Sequence, residues 1–233
     1  AALLEAPDRP IVLVRARAAS GIASAVAGGL PSLGLMLAYT PLHLLLFHDA
    51  AGRPAGTDWL ERDPPDLVLV ATSANRSGEP ILIDPALARV ALAGIADLVV
   101  GHERPIVARA DDSVVKLVAG RPTWLRRARG RVPLPIRLPR AVPSILAVSV
   151  QLKTTVCLTR GDEAFLSTHV GDLEDGATLA FLEETIARMR NLLEVQPVAV
   201  AHDLHPDLPS TRLARGLGLP AIAVQHHHAH IAA

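Results

Sequence analysis

ILAVSVQLKTTVCLTRGDEAFLST, residues 145–168, is the stretch on which the fold turns. Apolar and β-branched side chains crowd residues 145–150, return at 155–159 and again at 163–168, with the Arg160-Gly161-Asp162 turn between the last two runs. Short apolar runs bounded by turn residues predict three consecutive strands. Working outward, residues 177–193 place Leu179, Leu182, Ile186, Met189 and Leu193 three or four apart, the period of one helix face. A strand at 198–201, a helix at 210–217 and a strand at 221–224 complete the pattern.

Three strands, helix, strand, helix, strand is the opening half of an actin-like or ribonuclease-H-like domain of the ASKHA type, an α/β fold that binds nucleotides. The last predicted strand runs into Gln225-His226-His227-His228-Ala229-His230. A helix beginning at His226 sets His226 and His230 one turn apart on one face, which is how two imidazoles reach one metal ion. Two histidines suit zinc or iron equally, and either metal needs a further ligand.

Upstream, residues 11–14 and 34–37 read as strands, 21–29 as a short alanine-rich helix, and 41–47 as a helix opened by Pro41. The continuous apolar run at 66–71 predicts a strand that delivers the polar loop TSANRSGEP, residues 72–80, at its carboxyl end, where open α/β sheets hold ligands. A helix at 85–93, a short strand at 98–99 and a β pair at 113–118 and 123–127 across Ala119-Gly120 follow. Residues 132–143 hold Pro133, Pro135, Pro139 and Pro143 without a helix signal and read as a connector between domains at 1–131 and 144–233.

Composition is compatible with a soluble globular chain: of 233 residues 50% are hydrophobic, 3% aromatic and 20% charged, with 23 basic and 23 acidic side chains. No global field points to nucleic acid or membrane, although residues 121–140 carry seven arginines and no carboxylate. The single cysteine, Cys157, excludes an internal disulfide and reads as a small core residue. No uninterrupted apolar stretch has membrane length and no signal peptide precedes the first strand, so the cytoplasm is the expected location. The first residue is not Met, which suggests a start inside a larger protein.

Eight short motifs, in order, carry a resemblance: MLAYTPLH (36–43), TSANRSGEP (72–80), RADDSVV (109–115), LRRARG (125–130), LKTT (152–155), STHVGDL (167–173), HDLHP (202–206) and HHHAH (226–230). The first four resemble YrdC-like domains, and the whole set resembles the hydrogenase maturation carbamoyltransferases, the HypF family. The resemblance implies the later part of a YrdC-like adenylating domain followed by the first part of a threonylcarbamoyl-transferase-like domain. It implies a cycle in which carbamoyl phosphate yields carbamate, ATP with Mg converts it to carbamoyl adenylate, and the carbamoyl group passes to the C-terminal cysteine of HypE.

Adenylation joins two anions, so its site must offset negative charge and orient the attacking oxygen. Ser73, Asn75, Ser113 and Arg126 are the expected catalytic residues, with Thr72 and Ser77 helping to bind the nucleotide. Arg109 and Arg129 are weaker candidates, since pairing with Asp111, Asp112 or other nearby carboxylates accounts for them equally. In the second domain Lys153, Thr154 and Thr155 are expected at a nucleotide phosphate and His226 and His230 at one zinc or iron ion, while His169, Asp172, His202, Asp203 and His205 serve either the site or ordinary turns.

The family's Gly-x-Glu/Asp-Leu-Lys-Asn-Thr becomes Ser149-Val150-Gln151-Leu152-Lys153-Thr154-Thr155, so Ser149 is expected to crowd a phosphate and the carboxylate is lost. The chain alone is therefore not expected to run the full reaction. Two other readings share these features: a threonylcarbamoyl-adenylate or tRNA-modifying protein, and a non-catalytic module that binds nucleotide or double-stranded RNA.

Overall fold

Val12 and Val115, both buried, face each other's strands across a parallel pair that organises the first half of the chain. The computed structural model describes residues 1–17, 21–61 and 67–232. The chain folds as two compact units, Ala1–Thr72 with Ser113–Leu125, and Ser73–Asp112 with Arg126–Ala233.

In the first unit α1 (Ala2–Glu5) leads to β1 (Ile11–Arg15), β2 (Ser32–Leu35) and α2 (Pro41–Ala50). β3 (Val114–Val118) and β4 (Arg121–Arg126) follow, Arg126 itself falling in the second unit. The sheet order is β2-β1-β3-β4, with β1 antiparallel to β2 and parallel to β3. The β3–β4 turn is the expected one, with Ala119 at φ 48° and Gly120 at φ 75°, both left-handed as a two-residue hairpin of matching twist requires. Thr40 opens α2 by accepting the His43 amide at 3.2 Å, and Pro41 occupies the first turn.

Four expectations for residues 21–143 are corrected among the described residues. The helix expected at 21–29 is a single 3-10 turn, Ser24–Val26, ended by Gly28 and Gly29 at φ 54° and 81°. Residues 67–71 form no strand, and Asp66 lies outside the described residues. An apolar run on both faces is stable as a strand only when both faces are covered. Val68 and Val70 are instead 76% and 74% exposed. The strand at 98–99 is absent, and the stretch 132–143 is not simply a connector but carries a strand.

That strand, β5 (Ile136–Val142), belongs to the second unit, which begins with α3 (Pro85–Ala91) and continues through β6 (Ile145–Val148) and β7 (Val156–Leu166). α4 (Gly176–Leu193), β8 (Ala199–Asp203), α5 (Pro209–Gly216), β9 (Ala221–Val224) and α6 (His226–Ala232) complete it. The five-stranded order β5-β7-β6-β8-β9, with β6 antiparallel to β7 and parallel to β8, and β8 parallel to β9, is the α/β arrangement expected of a ribonuclease-H-like half. The two strands expected at 155–159 and 163–168 are one continuous element bent at Gly161 (φ 60°), and the Ser167 amide returns to the Val156 carbonyl at 2.7 Å. β5 tolerates Pro139 because it is the edge strand, where one face of the ladder needs no donor.

The apolar face of α4 is the one read from spacing. Leu182, Ile186, Met189 and Leu193 are buried against Leu146, Val156, Leu158 and Val200 of the sheet, and Leu179 packs at the margin. Asp175 caps this helix, its carboxylate accepting the Thr178 amide at 2.8 Å and the Thr178 hydroxyl at 2.7 Å. These bonds hold the Asp175 carboxyl below its ordinary range. A carboxyl whose folded pKa is depressed stabilises the fold above its unfolded pKa, and the contribution disappears as pH falls through the folded value. Asp175→Ala is therefore expected to lower the thermal midpoint at pH 7 and to flatten the loss of stability on acidification. Equal acid sensitivity in wild type and variant would contradict the assignment.

Candidate functional site

β6, β8 and β9 run parallel, and their carboxyl ends gather three loops at one edge of the second unit's sheet. The β8–β9 register sets Asp203 level with Val224, so the chain enters α6 directly beside the Asp203 carboxylate. Asp203 Oδ2 lies 2.9 Å from His226 Nδ1, and His226 Nε2 lies 3.0 Å from His230 Nε2. Asp203 Oδ1 also accepts the His205 amide at 2.8 Å. One carboxylate oxygen closes an Asx-type turn, as in the turn reading of this segment, and the other meets an imidazole. Burial pushes the Asp203 carboxyl up, yet the His205 amide and His226 outweigh it, and the group stays ionised more readily than an ordinary aspartate.

This geometry suits a metal ion. A carboxylate on Nδ1 fixes the tautomer that leaves His226 Nε2 free as a lone-pair donor, as in metal-binding histidines generally. Two nitrogens each roughly 2.05 Å from a tetrahedral ion stand about 3.3 Å apart, close to the spacing found between the two imidazoles. Among the described residues no cluster of three or more His, Cys, Asp or Glu forms a metal cage; the pair would supply two donors with Asp203 behind them. His227 and His228 stand outside this pair, as the helical spacing implies.

The histidine pair borders a cavity of about 450 Å³ that Ser149, Thr155, Cys157 and His202 also line. A wider depression of about 1030 Å³ adjoins it and shares Val150, Leu152, Asp203, His226 and His230. Cys157 is half-buried and burial raises its thiol pKa, which agrees with a packing role rather than a nucleophile.

The β6–β7 loop is drawn tight. Lys153 sits at φ 51°, in the left-handed region that side chains rarely adopt, and its amide donates to Asp172 Oδ1 at 2.6 Å. Thr154 is fully buried; its hydroxyl donates to the Val150 carbonyl at 2.5 Å and its amide to the Gly171 carbonyl at 2.8 Å. Thr154 therefore builds the turn, while Lys153 is exposed and Thr155 faces the smaller cavity. Half-buried His169 is nearby: burial lowers its pKa, Arg126 lowers it further, and Asp111 and Asp172 pull the other way.

The residues expected for adenylation fall in both units and are described within each. In the first, Thr72 is exposed and Ser113 is fully buried, its carbonyl accepting the Ile11 amide at 2.8 Å. In the second, Ser73 and Ser77 are exposed on a self-bonded loop. Asn75 Nδ2 donates to the carbonyls of Arg76 and Glu79, both at 2.9 Å, and the Leu82 amide closes the loop onto the Ala74 carbonyl at 2.9 Å. Asn75 thus performs turn chemistry, with its Oδ1 buried and unpaired.

Arg126 pairs with Asp111 at 3.3 Å, Arg129 with Asp112 at 2.7 Å and Arg137 with Asp162 at 3.1 Å. Three of the seven arginines at 121–140 thus meet carboxylates 15, 17 and 25 residues away in sequence. What sequence reasoning missed is the contact of Arg109 with Glu184, 75 residues away, which no local pattern signals.

Residues 1–128 match the Sua5, YciO and YrdC family model, described as telomere recombination, and residues 140–233 match the HypF Kae1-like domain. The chain is 54% identical, along its whole length, to carbamoyltransferase HypF2 of Cupriavidus necator, of which it covers 30%. It is 50% identical to carbamoyltransferase HypF of Rhizobium leguminosarum bv. viciae, again over its whole length and 29% of that protein. The chain belongs to the HypF family. It superposes on a full-length HypF crystallised in a phosphate- and nucleotide-bound form with a TM-score of 0.83 at 43% identity, covering 99% of this chain and 34% of the other. It thus spans about a third of the length of these HypF proteins. Among its described residues no helix is long and apolar enough to cross a membrane.

Proposed function

We propose that this chain contributes to a carbamoyltransferase of nickel-iron hydrogenase maturation. Its first part takes part in forming carbamoyl adenylate from carbamate and ATP with Mg, carbamate coming from carbamoyl phosphate, and its second part in passing the carbamoyl group to the C-terminal cysteine of HypE. The observation that carries the reading is the Asp203–His226–His230 array at the carboxyl edge of the parallel strands, beside a cavity of about 450 Å³. The names of the similar proteins and the nucleotide-bound HypF structure support it.

In the transfer step the cysteine sulfur attacks the carbamoyl carbon, the bond to the phosphate oxygen breaks, AMP leaves and the thiol proton is released. His226 and His230 would hold a zinc or iron ion, which when bound supplies positive charge to the electrophile. Asp203 keeps His226 in the ligating tautomer. Lys153, exposed at the tip of its turn, offers a point charge for a nucleotide phosphate. Exposed Ser73 and Ser77 offer hydroxyls to the anions of the adenylation step.

The full reading frame of the source gene, supplied with carbamoyl phosphate, ATP, Mg and HypE, is expected to release AMP and pyrophosphate and to add one carbamoyl mass to the HypE C-terminal peptide. The 233-residue chain alone is expected to give no modified HypE. Absence of modification with the full protein, under conditions where it binds ATP, would refute the reading. Transfer to tRNA instead would favour the threonylcarbamoyl alternative.

A further inference from the structure

We infer that Glu184 is a positioning residue for the loop at residues 73–80, acting through Arg109. The Glu184 carboxylate on α4 holds two arginines: Oε2 accepts from Arg109 Nη1 at 2.5 Å and Oε1 from Arg188 Nη2 at 3.2 Å. Arg109 also donates through Nε to the Ile81 carbonyl at 2.9 Å and lies over the Phe181 ring, 4.8 Å from its centroid. Arg188 donates to the Val107 carbonyl. Ile81 directly follows the loop, and its neighbour Leu82 closes the loop onto Ala74. A continuous set of bonds thus runs from α4 through Arg109 and residues 81–82 to Ala74 and Asn75.

Every residue in this set belongs to the second unit. The Arg109 side chain is 20% exposed and that of Glu184 37%, so the pair is partly shielded, and the guanidinium rests on Phe181, itself part of the core that α4 makes with the sheet. A bonded guanidinium stacked on a buried ring has a fixed direction, unlike a free surface ion pair. Arg109, a candidate for substrate charge by sequence, is already committed on both sides. Glu184 decides where it points, and with it where residues 73–82 lie relative to α4.

The functional consequence rests on the reading above, in which this loop serves adenylation. Glu184 touches no substrate; it holds the loop's seat. Hydrogen–deuterium exchange on the 233-residue chain tests the positioning directly. Glu184→Ala is expected to raise exchange of the Leu82 amide and of amides 74–79 about tenfold, the scale of a lost local constraint, while α4 keeps its protection. Glu183→Gln, on the exposed face of the same helix, is expected to change nothing.

If Glu184→Ala fails to fold, Glu184→Gln and Arg109→Lys probe the same pair with smaller disturbance. Unchanged loop exchange in folded variants of either residue overturns the inference. In the full-length enzyme, Glu184→Ala is expected to raise KM for ATP several-fold with a smaller change in kcat, and Glu184→Asp to recover part of the loss. Equal KM in all three would overturn the functional half. If the wild-type enzyme forms no pyrophosphate, the adenylation reading falls, and the exchange experiment still decides whether Glu184 seats the loop.

Discussion

Replacing His226 with alanine is expected to weaken metal binding by the 233-residue chain by more than about 100-fold, because losing a direct ligand exceeds the roughly 10–100-fold typical of losing its hydrogen-bond partner. His226 stands in the middle of the array, with Asp203 on Nδ1 and His230 across from Nε2. Its loss removes one donor and leaves Asp203 without its imidazole, whereas His228 is exposed and lines neither cavity. Competition against a chromophoric chelator, with zinc and then ferrous iron, reads the affinity. Asp203→Asn should sit between wild type and His226→Ala, and His228→Ala should match wild type. Wild-type affinity in the His226 variant would show that the i, i+4 pair is not the metal site.

Leu182→Ala is expected to cost roughly 3 kcal/mol, in the usual range for truncating a fully buried leucine, and to lower the unfolding midpoint by about 6–12 °C. Leu182 is fully buried on α4 and packs in the cluster with Leu146, Leu158 and Val200. The helix that carries it also carries Glu184, so the variant is expected to loosen the seat of residues 73–82 along with the core. Chemical denaturation with a two-state fit measures the change. The same truncation at Leu45 on α2, which is 62% exposed, is expected to cost under about 1 kcal/mol.

The two unit cores differ in how far local pattern could reveal them. On α4 the spacing of Leu182, Ile186, Met189 and Leu193 named the buried face because one helix packs against one sheet. The end of β9 and the start of α6 at His226 were legible for the same reason: an apolar run stops where polar, helix-compatible residues begin. The run at 67–71 misled because periodicity cannot say whether a neighbour exists to cover it, and Val68 and Val70 face solvent. β5 was hidden by Pro139 and the prolines flanking it, since proline is excluded from a central strand but not from an edge.

Site residues divide along the same line. His226 and His230 were visible as a pair because helix geometry alone relates positions four apart. Asp203 joins them only through the parallel register of β8 and β9, which brings residues 23 apart in sequence to a 2.9 Å contact. Thr154 and Asn75 read as ligands by type, yet hydrogen bonding inside their own turns consumes the hydroxyl of one and the Nδ2 donor of the other.

What the sequence by itself determined is the order of elements, the apolar faces that drive them together and the spacing of the paired imidazoles, since each follows from side-chain period and backbone preference within a few residues. Only tertiary structure decided the partners of the charges: Asp203 for His226, Asp111 for Arg126, Glu184 for Arg109. Charge pairing depends on distance in space, and chain folding sets that distance through strand register and helix packing that no local window of residues contains.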